Sequence, residues 1–152
     1  MLVAGIGNIF LGDDGFGPEV LRHVVAHPAD ERVRVTDYGI RGLHLAYDLL
    51  DDWDALVLVD AIPDRGAPGT VRVFEADHET FSTPGGFDAH SMDPSAVFAS
   101  LAALGGTAPL TVVIGCEVQN VADGIGLSDA VNAAVPEAVL AVQTVVTMLR
   151  ER

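Results

Sequence analysis

A chain of 152 residues with 49% hydrophobic residues and a mean hydropathy of +0.36 can bury one full core, which excludes an intrinsically disordered chain. Its formal net charge is -14 and every basic residue is an arginine, a balance that argues against nucleic acid and anionic lipid as partners. The single Cys116 cannot close an internal disulfide, and no contiguous apolar run reaches the roughly eighteen residues of a membrane span, so a cytoplasmic protein is expected.

Met1 to Ile6 is a short apolar run that reads as a buried strand, with no secretory signal pattern at its start. The glycine-rich stretch Gly5 to Gly17 follows. Pro18 to Ala26 then carries Val20, Leu21, Val24 and Val25 at the spacing of an amphipathic helix. Arg32 to Tyr38 alternates as a strand and ends at Asp37-Tyr38-Gly39. Leu43 to Leu50 has a helical apolar pattern and stops at the acidic turn Asp51-Asp52. Ala55 to Val59 is continuously apolar, the mark of a strand covered on both faces, and is expected to end at Asp60.

Thr70 to Glu75 reads as an edge strand. The segment Asp77 to Ala89, with Pro84, Gly85 and Gly86, is too long for a plain connection and ends in His90-Ser91. Asp93 is expected to cap a helix over Ser95 to Leu104, with Pro94 at its first position. Leu110 to Gly115 is a second continuous buried strand. Ser128 should cap a short helical piece, and Pro136 should open a last helix to about Leu149. This order predicts a single α/β domain over residues 1–152: a mostly parallel twisted sheet of about five strands with helices on both faces. The ends of the strands after Ile6, Val59 and Gly115 should gather on one edge, where open α/β sheets bind their ligands.

That edge receives chemistry from three places. Asp13 and Asp14 lie in the loop after the first strand, where two adjacent carboxylates invite a cation, although either could instead cap the helix. A nucleotide suits this loop poorly. The dinucleotide fingerprint needs a glycine where Phe10 stands, the phosphate loop needs a lysine the chain lacks, and the acid pair would repel phosphate. Asp60, at the end of a buried strand, is a poor core residue and a good site residue. His90 ends the long loop and can reach the same edge. Asp, Asp and His leave positions open for water or a substrate atom and suit nickel, zinc, manganese or cobalt. His23 and His27 are spaced like a zincin pair, but they share the polar face with Arg22 and read as solvated. His44 and His78 have no distinctive setting.

Two other hydrolytic schemes find little support. No Gly-x-Ser-x-Gly elbow and no Asp-Thr-Gly or Asp-Ser-Gly triplet occurs, and Cys116 follows an apolar strand as a buried residue would.

The stretch Gly5-x-Gly7-Asn8-x-x-x-Gly12-Asp13-Asp14-Gly15-x-Gly17, then Leu58-Val59-Asp60-Ala61, then Ala89-His90, resembles the hydrogenase maturation endopeptidases over essentially the whole chain. Gly39, Gly115-Cys116-Glu117 and Leu127-Ser128 extend the resemblance. It implies a three-layer αβα fold of the phosphorylase/hydrolase-like kind and a hydrolase classed among aspartic-type endopeptidases. Such enzymes activate a [NiFe] hydrogenase by removing a C-terminal extension from its large-subunit precursor after nickel delivery. Asp14, Asp60 and His90 match the family's three metal-contacting positions, where the family often has Glu in place of Asp14. Asp13 matches a supporting acid, and Asn8, Gly39 and Gly42 are taken as supporting positions. Gly39 to Gly42 could hold the substrate backbone or simply make a tight turn. Nickel is then borne by the substrate, no nucleotide or organic cofactor is expected, and a monomer is the default. A non-catalytic nickel-sensing chaperone would share these residues.

Overall fold

The computed structural model describes residues 1–24, 32–76 and 94–152. The strands are β1 (Leu2–Ile6), β2 (Arg34–Gly39), β3 (Ala55–Ile62), β4 (Val71–Ala76) and β5 (Leu110–Glu117). They form one sheet in the order β2-β1-β3-β5-β4, parallel except for β4. The helices are α1 (Phe16–His23), α2 (Gly42–Asp48), α3 (Pro94–Ala103) and α4 (Asp129–Arg150), and a 3-10 turn spans Gly12–Gly15. The expected five-stranded, mostly parallel sheet is therefore present, with β4 on its edge.

Strand alternation divides the core into two layers. Val3, Val57, Val59, Ile114 and Cys116 pack with Phe16 and Val20 of α1 and with Val131, Ala138 and Val142 of α4. Leu2, Ala4, Ile6, Leu56, Leu58 and Val113 face the other way, against Leu45 of α2 and Val97 and Leu101 of α3. Each face of the sheet is thus covered by two helices, which is why β1 and β3 are buried throughout their lengths.

Most element ends shift by a residue or two from the sequence reading, and four departures matter for the site and the last helix. α1 starts at Phe16 instead of Pro18 and ends at His23, with Val24 already extended. A side chain at Gly17 would run into the carbonyl oxygens of Ile6 and Val59, so the first turn of α1 sits directly on the ends of β1 and β3. Pro18 falls in that first turn, where its missing N–H has no intrahelical partner to lose. Ala26 and the Asp93 cap lie outside the described residues.

The third departure is β3, which runs on through Asp60 to Ile62, because β5 also continues to Glu117 and pairs with it residue by residue. The fourth is the C-terminal region: Pro136 stands inside a single 22-residue helix and does not open a new one. Asn132 and Pro136 are both exposed, so the carbonyl that loses its N–H partner is open to water. Ser128 is the cap, as its position suggests, and its hydroxyl accepts the Val131 N–H at 3.4 Å. α4 has the length and apolarity of a membrane span, with a hydropathy of 1.4. Its stripe Val131, Ala134, Val135, Ala138 and Val142 is buried in the first core layer, as in a core helix.

Candidate active site

The carboxyl ends of β1, β3 and β5 lie side by side, and the 3-10 turn carrying Asp13 and Asp14 packs against β3. Asp60 is inside β3, in register with Gly115, and only 1% exposed. Asp14 is fully buried, and its Oδ2 accepts the Asn8 backbone N–H at 2.8 Å. Asn8 in turn is fixed by its own side chain, whose Oδ1 accepts the Phe10 N–H at 2.9 Å. Asn8 thus holds Asp14 through its backbone. Gly7 is required beside it: with φ near 147° any Cβ there would overlap the Asp14 carbonyl oxygen.

Asp13 and Asp14 do not act as a pair. In a 3-10 turn successive side chains diverge by about 120°, so neighbours in sequence leave in different directions. The Asp13 carboxylate is fully buried and turns toward the connection after β5. Its Oδ2 accepts the N–H groups of Gln119 (2.8 Å) and Asn120 (2.9 Å) and the Ser128 hydroxyl (2.8 Å). Its Oδ1 accepts the Ser128 N–H at 2.7 Å. Four donors from the connection between β5 and α4 thus occupy it, and it ties the loop after β1 to that connection. Neither acid caps α1, whose N-cap is Gly15.

The Gly39 to Gly42 segment is a turn and a helix start. Gly39 takes φ +54°, its carbonyl accepts the Gly7 N–H at 3.0 Å, and Gly42 begins α2. The Arg41 guanidinium folds back onto the carbonyls of Tyr38 (3.3 Å) and Asp37 (3.0 Å).

The histidines separate as follows. His23 is exposed and lies 3.1 Å from Glu19, as a solvated residue would. His44 packs edge-on to Tyr38 and lies 3.7 Å from Asp48. His27, His78 and His90 lie outside the described residues. Among the described residues, no three His, Cys, Asp or Glu side chains form a metal-binding group.

Glu117 was missed as a buried acid, although it ends an apolar strand just as Asp60 interrupts one. It is fully buried and accepts the Arg65 N–H at 2.7 Å, the Ala67 N–H at 3.3 Å, and the Arg72 guanidinium at 2.8 Å. The Arg65 N–H first, and Arg72 with it, hold its carboxyl below the usual range. It braces the connection between β3 and β4.

Cys116 faces the first core layer, and burial, helped by the charge of Asp13, pushes its thiol up to about 12. A nucleophilic thiolate is not available there. The native protein is expected to resist iodoacetamide at pH 8, with alkylation of Cys116 appearing only in denaturant. Rapid modification of the folded chain, followed by mass spectrometry, would contradict this.

Comparison with known proteins gives the family. Residues 18–145 match the family model described as hydrogenase maturation protease. The chain belongs to the hydrogenase maturation protease family. It is 30% identical over 153 residues to the hydrogenase expression/formation protein HupD of Rhizobium leguminosarum, covering 99% of this chain and 74% of that one. It is also 31% identical over 147 residues to the coenzyme F420 hydrogenase subunit delta of Methanothermobacter thermautotrophicus, covering 91% and 89%. Among solved structures it resembles the hydrogenase maturating endopeptidase HybD from E. coli. There the TM-score is 0.76 at 26% identity, covering 99% of this chain and 91% of that chain. Fold and family thus agree with the sequence motifs, and a peptidase is the coarse activity they support.

Proposed function

We propose that this hydrogenase maturation protease is an endopeptidase that removes the C-terminal extension of a nickel-loaded [NiFe] hydrogenase large-subunit precursor. In this reading Asp14, Asp60 and His90 grip the nickel carried by the precursor and thereby align the scissile bond. The observation that carries the reading is the pair of buried carboxylates, Asp14 and Asp60, on adjoining elements at the carboxyl edge of the sheet. Two carboxylates and an imidazole leave a metal's remaining positions for groups of the precursor, so the ion stays part of the substrate. The gripped ion then polarises the scissile carbonyl or an attacking water. Water adds to the carbonyl carbon, the C–N bond breaks, and the departing amine takes a proton.

The reading places the protein in the cytoplasm as a monomer, with an aspartic-type assignment that refers only to these acids. Its test is to mix the protein with nickel-loaded and with nickel-free precursor and follow the large subunit by gel mobility and mass. The expected result is shortening of the nickel-loaded precursor alone. Equal shortening of both forms would refute nickel recognition.

A second reading is a nickel-sensing binding module on the same fold. It is favoured by one observation: a relative covering 91% of this chain is named as a hydrogenase subunit. Stable binding of nickel-loaded precursor without shortening would favour it.

A further inference from the structure

Five large apolar side chains stand in solvent at the edge that holds Asp14 and Asp60. Ile9, Phe10, Ile40, Leu43 and Ile125 are exposed by 48, 61, 63, 58 and 78%. Isolated exposed apolar residues are ordinary, but these belong to three segments that follow β1, β2 and β5 and are hydrogen-bonded together. The Phe10 carbonyl accepts the Gly124 N–H at 2.9 Å, and the Gly124 carbonyl accepts the Gly12 N–H at 2.9 Å. Leu11 and Gly124 form a parallel bridge between them. On the other side, the Gly7 N–H joins the Gly39 carbonyl at 3.0 Å. The backbone therefore presents Phe10 and Ile125 outward from a fixed frame, so little conformational entropy is lost when a partner covers them.

The same frame reaches the proposed site. Asn8 receives the Phe10 N–H on its side chain and gives its own N–H to Asp14. Charge then decides between occupants. Asp37, near the end of β2, and Asp123 are exposed beside these segments and outnumber the one exposed arginine there, Arg41, whose guanidinium is folded onto backbone carbonyls. A second copy of this chain would bring one net charge of -14 against another, whereas a basic partner would be attracted.

We propose that Phe10 and Ile125, backed by Ile40 and Leu43, are the docking surface for the precursor segment that flanks the cut bond, and that this segment is apolar with basic residues beside it. The proposal rests on the endopeptidase reading and adds a substrate preference to it.

The test measures binding and cleavage separately. The double variant Phe10→Ser/Ile125→Ser is compared with wild type for Kd toward nickel-loaded precursor by calorimetry and for KM and kcat of shortening. Because both side chains are exposed, melting curves should coincide. The expected result is a Kd and KM raised about tenfold or more, with kcat within about twofold. Binding by wild type should also weaken about fivefold or more between low and high salt, and Asp123→Asn should reduce that salt dependence. Unchanged Kd in the double variant overturns the surface while leaving the endopeptidase reading intact. Weaker binding by the double variant, in a wild type that binds but never cuts, keeps the surface and refutes the endopeptidase. A wild type that fails to bind precursor refutes both. A dimer in sedimentation that the double variant disperses shows a second copy there and overturns the assignment.

Discussion

Asp60→Asn and Asp14→Asn are each expected to slow shortening of nickel-loaded precursor by about a thousandfold in a protein that still folds. Asn has the shape of Asp, so each change removes the charge of a proposed ligand and little else. Asp14 gives the cleaner experiment. The side-chain oxygen of an Asn at position 14 can still accept the Asn8 N–H that now reaches Asp14 Oδ2 at 2.8 Å. A loss there reports the missing charge and not a displaced side chain. Asp14→Glu, which keeps the carboxylate, should stay within about tenfold of wild type. His90→Ala completes the series. Single-turnover shortening is the assay, with melting temperature as the control. If both Asn variants process precursor at the wild-type rate, the assignment of these acids fails.

The fold was legible because its signals were periodic. Continuous apolar runs at Ala55–Val59 and Leu110–Gly115 announced strands covered on both faces, and the alternation of Val71 and Val73 with Arg72 announced an exposed edge. Boundaries were less legible, since they depend on contacts distant in sequence. β3 passes through Asp60 because β5 continues beside it, and no local pattern around Asp60 records that. Pro136 reads as a helix start from sequence, whereas in the folded chain its solvent-facing position leaves the interrupted carbonyl hydrated. At the site, residue types were readable but directions were not. Two adjacent aspartates read as one cation-seeking pair, and only the 3-10 geometry separates them. The motif resemblance assigned Asp13 a supporting part; the four groups it supports lie more than a hundred residues away. Separations of 52 and 45 residues likewise hid the contacts of Glu117 with Arg65 and Arg72.

Asp13→Ala is expected to be among the most destabilising single substitutions in the protein, by roughly 3–5 kcal/mol. The carboxylate is fully buried and accepts three backbone N–H groups and one hydroxyl, all between 2.7 and 2.9 Å. Truncation leaves the N–H groups of Gln119, Asn120 and Ser128 without that acceptor. For a domain of this size the change corresponds to a fall in melting temperature of about 10 °C or more. Asp13→Asn should cost less, about 2 kcal/mol, because one oxygen remains while the amide nitrogen faces donors. Ser128→Ala removes only one donor and the helix cap, at about 1 kcal/mol. Since Ser128 and Asp13 share their bonds, the double variant Asp13→Ala/Ser128→Ala should lose clearly less than the sum of the single losses. Strict additivity in that cycle would mean the four short bonds are not coupled, and Asp13 would then not be the joint between the first loop and α4. Processing should fall with stability in Asp13→Ala yet partly return at low temperature, where the fold is kept. The Asp14 and Asp60 variants should show no such recovery, which separates an acid that holds the frame from the two proposed to hold the metal.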